Sequence, residues 1–251
     1  MSQRPNRILL KLSGRAFQED ANGRPFSSKL LEHVSSAISK LVDTELAIVV
    51  GGGNIIRGAR TFWLDRLDAD SMGMLATLLN AMALRSLLQH KGREVVIQSA
   101  ISTQYAPPIS HKKAIRELKD GSIVIFAGGT GNPGVTTDTA AASHAANIDA
   151  DVLAKATDVN GIYESLPYEN PDDFLPLVSF EQFLEKRYEI MDLIAVTTCH
   201  EGKDGQGALP IPIEIFHMMR EGALHEIAQG RSVGTRIDTM QRLEQFSAST
   251  G

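Results

Sequence analysis

Four glycines within seven residues, Gly128-Gly129-Thr130-Gly131-Asn132-Pro133-Gly134, stand between an apolar stretch and a row of small side chains. Upstream, Ser122 to Ala127 is short, apolar and rich in β-branched residues, the pattern of a buried strand. Downstream, Val135-Thr136-Thr137-Asp138 leads into Thr139 to Ala146, which reads as a closely packed helix. A strand that enters a helix through a glycine-rich turn presents backbone N–H groups at the helix N-terminus. Such a place favours an anion, most often a phosphate. Two threonine hydroxyls and one carboxylate, Asp138, complete the segment, which a turn needing only flexibility would not require.

Two lysines lie where lysines are unusual. Arg7 to Gly14 is an apolar strand ending in Lys11-Leu12-Ser13-Gly14, and an ammonium in an apolar run is costly without a partner. One reading places Lys11 on the surface at a strand end. The other makes it a cation at the carboxyl end of a strand, where open α/β sheets bind ligands. Lys155 repeats the pattern inside Asp151 to Thr157. The strand Leu46 to Val50 stops in Gly51-Gly52-Gly53-Asn54, which lets the backbone approach a ligand that a Cβ would exclude, and Arg57 follows within reach of the same anion. Two cations to neutralise phosphate oxygens and one acid to hold those cations are what phosphoryl transfer needs.

Bulk properties narrow the class. With 43% hydrophobic and 22% charged residues in 251, the composition is globular. A net charge of −5 argues against broad nucleic-acid binding. The sequence lacks an uninterrupted apolar run of spanning length, so no membrane partner is expected. Cys199 is the lone cysteine, which excludes an internal disulfide and suits the cytoplasm. Its neighbour His200 is no catalytic partner on adjacency alone, and the seven histidines show no metal-ligand spacing.

In chain order, helices are expected over Leu30 to Val42, Ser71 to Met82, Ser110 to Lys119, Phe180 to Tyr188 and from Met191, with further strands at Glu94 to Gln98, Ile211 to Phe216 and Gly234 to Ile237. The methionines and leucines of the second helix read as core, extended into a subunit contact. Asp70 at its start reads either as an N-cap or as an acceptor for a ligand's hydroxyls. Strands alternating with helices predict an α/β, three-layer αβα sandwich: a mostly parallel sheet with helices on both faces, in a single domain over 1–251.

Lys11-Leu12-Ser13-Gly14, Gly51-Gly52-Gly53-Asn54, Asp70 with Met72-Gly73-Met74, Gly129 to Asp138, Lys155-Ala156-Thr157 and Met191-Asp192, in this order, resemble the amino acid kinase family. Within it they are most similar to the bacterial members that phosphorylate UMP. The likeness runs from Arg7 to Ile237. It implies transfer of a phosphoryl group from ATP, with Mg2+ held mainly by the nucleotide phosphates. Lys11, Asp138 and Lys155 would be catalytic. Lys11, Leu12, Ser13, Gly14, Gly53, Arg57, Thr157 and Tyr163 would bind ATP. Gly52, Asp70, Thr130, Gly131, Asn132, Pro133, Gly134, Val135, Thr136 and Thr137 would bind UMP. Residues up to about 135 would form the monophosphate side and about 136–240 the ATP side. The resemblance also implies a homohexamer, activation by GTP through Glu19 to Arg24, and inhibition by UTP.

This chain departs from the family pattern at Arg15 (usually glutamate), at Asn160 and Leu166 (usually aspartates), and in a longer stretch from His200 to Gly207. The missing Asp-Pro acid removes a usual ATP contact. Three rivals also stand: another kinase of the family acting on a carboxylate or carbamate, which would lack the Gly-Thr-Gly-Asn-Pro loop; a non-enzymatic, anion-storing or regulatory relative, favoured by Arg15 and Leu166; and a dinucleotide-binding oxidoreductase. Gly129 to Gly134 fits G-x-G-x-x-G, with Asp149 or Asp151 as the following acid of a dinucleotide fold, yet that reading leaves Lys11 and the glycine triplet unexplained.

Overall fold

The structure, a computed structural model, describes residues 4–18, 25–56, 62–165, 171–202 and 209–250. The first part runs β1 (Arg7–Leu12), α1 (Ser28–Ser39), β2 (Glu45–Val50), α2 (Arg66–His90), β3 (Val95–Ser99), α3 (His111–Lys119), β4 (Ile123–Ala127), α4 (Thr137–Asn147) and β5 (Val152–Thr157). The remainder holds β6 (Ile162–Tyr163), β7 (Phe174–Leu175), β8 (Leu177–Ser179), α5 (Phe180–Lys186), α6 (Leu193–Glu201), β9 (Ile213–His217), α7 (Ala223–Ala228), β10 (Thr235–Asp238) and α8 (Met240–Thr250).

Eight strands form one sheet in the order β3-β4-β2-β1-β5-β9-β10-β8, while β6 and β7 pair separately. From β3 to β9 every pairing is parallel; β10 runs antiparallel to β9, and β8 lies parallel to β10. The central strands are buried on both faces, which is why they read as continuous apolar runs. In β1, Ile8, Leu10 and Leu12 enter a core shared with α1, α2 and α7. Leu9 enters the opposite core, built with α3, α4, α5 and α6. The result is the three-layer sandwich expected, with Lys11 and Lys155 on the α4 side by strand alternation.

Several boundaries differ from the sequence reading. Helix α1 stops at Ser39, so Leu41 still packs inward while Val42 lies 70% exposed. Helix α2 starts earlier, at Arg66, and Asp65 is its N-cap, accepting from the Leu67 N–H at 2.9 Å. Asp70 is therefore no cap. By length and composition α2 could cross a membrane; here Ala76, Thr77, Leu78, Asn80, Ala81, Leu84 and Leu88 are buried in the fold. The closing strand runs against its neighbour, and α8 beyond it is a helix that the sequence reading does not include. Arg57, Glu19 to Arg24, Leu166 and most of the long stretch after His200 lie outside the described residues.

One polar residue of α2 sets the end of β2. Asn80 is fully buried and donates to the Gly51 carbonyl at 2.6 Å. It also exchanges hydrogen bonds with Asn54, at 2.7 and 3.0 Å, and Asn54 in turn reaches the Pro25 carbonyl at 2.7 Å. Replacing Asn80 with alanine strands these partners, so Asn80→Ala is expected to lower the unfolding free energy by about 1–3 kcal/mol in a urea titration. A change under about 0.5 kcal/mol would remove Asn80 from this structural role.

Candidate active site

Lys11 and Lys155 are direct register partners in the parallel pairing of β1 with β5. Register partners point to the same face, about 4.8 Å apart, so the sheet sets two ammonium groups side by side. Helix α4 supplies the counter-charge. Asp138, in its first turn, takes Lys11 Nζ at 2.7 Å on Oδ1 and Lys155 Nζ at 2.5 Å on Oδ2. Lys155 also donates to the Ile190 carbonyl at 2.6 Å. Burial opposes ionisation of Asp138, but the two ammonium groups outweigh it and hold the carboxyl at about 2. For Lys155, burial and then the like charge of Lys11 push the ammonium down to about 8, against the pull of Asp138. These two cations and one anion sum to one positive charge, with the Asp192 carboxylate near enough to act on Lys155 as well.

The glycine-rich turn ends on a cap that holds Asp138 in place. Thr136 Oγ1 accepts from the N–H groups of Asp138 and Thr139 at 3.1 and 3.3 Å. Thr136 and Thr139 both donate through their hydroxyls to Asp192, the latter at 2.8 Å. Asp192 is itself the N-cap of α6, accepting from Ala195 N at 2.9 Å, so one carboxylate ties two helix starts together. Gly128, Gly129, Gly131 and Gly134 all take positive φ, between 58° and 83°, which explains the glycines of the turn. Thr77 Oγ1 accepts from Gly128 N at 2.7 Å where the turn leaves β4. Gly134 N donates to Asp70 Oδ2 at 2.9 Å, and Arg66 Nε donates to the same oxygen at 2.9 Å. Thr130, Gly131, Asn132 and Pro133 form the tip, where Asn132 N donates to Thr130 Oγ1 at 3.3 Å. Val135 is 41% exposed beside them.

The strand-end glycines also answer to packing within the protein. A Cβ on Gly14 would stand 2.5 Å from Gly53 N, and one on Gly52 would stand 2.5 Å from the Gly73 carbonyl. Protein backbone leaves no room for a side chain at these two positions. The turn after β1 thereby nests against the turn after β2. Leu12 is buried beneath it, and Ser13 caps the following 3-10 turn, its Oγ accepting from Arg15 N at 3.4 Å.

Tyr163 lies farther out, ring-edge on Phe174 at 5.4 Å. With Tyr188, Lys186 and Ile190 it lines a cavity of about 440 Å³. Ile190 joins that cavity to Lys155 through its carbonyl. Thr157, at the end of β5, donates to Asp158 Oδ1 at 3.2 Å. A larger cavity, about 870 Å³, lies at the opposite ends of the strands, around Asn6, Asp151, Glu214 and Arg236. Size does not make it the chemical site, because its arginines already have carboxylate or carbonyl partners: Arg236 with Glu214 and Asp238, Arg242 with the Pro210 carbonyl. Asp151 there accepts from the N–H groups of Asn6 and Arg7 at 2.8 Å each. It faces away from the glycine turn, so it cannot serve as the ribose-binding acid of a dinucleotide fold. Cys199 is fully buried, its thiol pushed up by burial, and His200 stacks on Phe180 at 4.9 Å.

The amino acid kinase family model matches residues 6–217. The chain belongs to the amino acid kinase family. A uridylate kinase of Magnetococcus marinus is 43% identical over 242 residues, covering 94% of this chain and 97% of the relative. A uridylate kinase of Methylococcus capsulatus is 38% identical over 239 residues, 93% of this chain and 97% of the relative. Among solved structures, a UMP kinase from Bacillus anthracis superposes with a TM-score of 0.86 at 32% identity, over 95% of this chain and 98% of that one. Family membership places the strand–glycine turn–helix segment in a kinase and removes the dinucleotide-binding alternative.

Sequence reasoning passed over two supports of this site, Asn80 and Thr77, and gave Asp192 no role beyond its place in the Met191-Asp192 motif. Asn80 carried a signal, a lone amide inside Leu78-Leu79-Asn80-Ala81. Asp192 carried another, an acid just ahead of the apolar run Leu193-Ile194-Ala195-Val196, the pattern of an N-cap. The central triad generates a stability prediction. Asp138→Asn leaves two buried ammonium groups without their counter-ion, so unfolding free energy at pH 7 is expected to fall by about 3–5 kcal/mol. The loss should shrink toward pH 10, where the variant can release a lysine proton, and a loss independent of pH would contradict the charge account. In the parent protein the Asp138 contribution is present above its ordinary 3.8 and is lost as pH falls toward about 2.

Proposed function

We propose that this protein transfers the γ-phosphoryl group of ATP to UMP, giving ADP and UDP, and so serves pyrimidine nucleotide synthesis. The observation that carries this reading is the pair of ammonium groups, Lys11 and Lys155, bound to one carboxylate beside a glycine turn at the strand ends. The similarity to uridylate kinases over nearly the whole chain supports the choice of acceptor.

In the reaction, the bond from the γ-phosphorus to the bridging oxygen of ADP breaks, and a bond to a phosphate oxygen of UMP forms in line with it. The acceptor oxygen is already anionic, so no general base is needed. Positioning and charge neutralisation supply the rate enhancement. Lys11 and Lys155 neutralise the migrating group, and Asp138 keeps the two amines at a fixed spacing. Leu12, Ser13, Gly14, Gly53 and Arg57 are assigned to the ATP phosphates, and Thr157 and Tyr163 to its nucleoside end. Gly52, Asp70 and the turn from Thr130 to Thr137 are assigned to UMP. On this division, residues up to about 135 bind the monophosphate and about 136–240 bind ATP, within one domain.

Both oxygens of Asp138 are taken by lysines, and Asp192 is spent on Thr136, Thr139 and Ala195 N. The donor set therefore suits Mg2+ carried in by the nucleotide phosphates rather than a protein cage. When bound, that ion supplies charge neutralisation on the β- and γ-phosphates. We further propose a cytoplasmic homohexamer, activated by GTP and inhibited by UTP. An apolar stripe supports association: Leu67, Met72, Leu75 and Leu79 of α2 are 44–62% exposed.

Release of ADP measured in parallel with UMP, CMP and dCMP tests the reaction, and UMP is expected to be strongly preferred. Silence with all three would leave an anion-binding protein without this activity. Lys11→Ala is expected to lower kcat by roughly 10²–10³, the loss on removing one electrostatic donor; near-normal turnover would remove Lys11 from the mechanism. Because Lys155 must be protonated to act and its ammonium is held near 8, kcat/KM is expected to fall as pH rises through about 8. A flat profile to pH 10 would oppose that role. Replacing Leu75 and Leu79 together by glutamate is expected to yield smaller species in sedimentation velocity.

A further inference from the structure

Just beyond the lysine pair, on the same two strands, stands a second pair of charges. Arg15 follows Lys11 by four residues and Asp158 follows Lys155 by three, and the two side chains form an ion pair across the ends of β1 and β5. Both sit on structured backbone. Ser13 N donates to the Ala156 carbonyl at 3.3 Å, and Arg15 N donates to Ser13 Oγ. On the other side the Asp158 carboxylate accepts from Thr157 Oγ1 at 3.2 Å, and the Thr157 carbonyl accepts from Met218 N at 2.7 Å.

The side chains are 45% and 41% exposed, and ion pairs this open add little to folding. Their effect on the crevice is larger. Lys11, Lys155 and Asp138 sum to one positive charge. An unpaired Asp158, next to the turn of Ser13 and Gly14, would lower the local positive charge by one where a triphosphate must enter. Arg15 restores it. The pair also accounts for one of the departures from the family pattern, since an arginine here has a carboxylate waiting for it.

We propose that Arg15 sets the affinity for the nucleoside triphosphate by cancelling the charge of Asp158 at the mouth of the phosphate crevice. Its role is positioning and electrostatic, exerted through Asp158 rather than by contact with the reacting atoms. The proposal rests on the reading of ATP as phosphoryl donor given above.

The test compares the parent protein, Arg15→Ala, Asp158→Asn and the double variant. Each is measured for KM of ATP at saturating UMP and for equilibrium binding of ATP, in low and high KCl. Arg15→Ala is expected to weaken ATP roughly fivefold at low salt, the scale of one unit charge about 4 Å away in a water-like dielectric. At high salt the effect should drop below about twofold, because screening shortens its reach. Asp158→Asn alone is expected to tighten ATP by a similar factor, and the double variant to return to within about twofold of the parent. Turnover at saturation and KM for UMP should stay within about twofold throughout. The proposal is overturned if the double variant binds ATP as weakly as Arg15→Ala, or if the loss is independent of salt. It is also overturned if the loss falls on kcat. A parent protein that shows this binding pattern but makes no UDP would overturn the assigned reaction and leave the role of Arg15 standing. A parent that makes UDP while Arg15→Ala behaves like it would do the reverse, and a parent that binds no ATP would overturn both.

Discussion

Two ammonium groups held side by side in a sheet interior repel one another and lose their water, and one carboxylate makes the arrangement tolerable. Asp138 meets Lys11 and Lys155 at 2.7 and 2.5 Å. Desolvation of three charges is expensive, and their mutual attraction repays it only when the geometry is close. Within this triad the excess is one positive charge, fixed by the fold itself. Charge arranged in advance needs no reorganisation during reaction, which is where electrostatic catalysis gains most.

Much of the surrounding structure serves to deliver Asp138 to that point. Thr136 caps α4, and Asp192 ties that cap to the start of α6. Thr77 and Asn80, from α2 on the other side of the sheet, hold the starts of the turns after β4 and β2. His144 lies under the same region, stacked on Phe126 at 4.3 Å. Burial and then the charge of His111 push it down to about 4, so it sits there as a neutral ring at physiological pH.

Local patterns were legible wherever one physical cause dominated. Apolar runs marked β1, β2, β4 and β5, since strands covered on both faces must be apolar throughout. Glycines marked turns, and close approach of protein backbone, as at Gly14 and Gly52, looks the same in sequence as room for a ligand. Asp70 shows the same limit. As a single acid near a helix start it fitted a cap, whereas Asp65 holds that position and Asp70 binds Gly134 N across 64 residues. The strand β10 was read from the sequence, but its antiparallel direction was not, because direction depends on which strand it pairs with; helix α8 was not assigned.

The sequence by itself determined the class of fold, the strands that carry Lys11 and Lys155, and the turn that carries Asp138, because composition and periodicity encode burial and backbone conformation residue by residue. Only the tertiary structure decided that the two lysines are register partners, that one carboxylate reaches both, and that Arg15 faces Asp158. Those facts depend on which strand lies beside which and in what register. Residues more than a hundred positions apart in the chain meet through sheet pairing, and no local pattern records that choice.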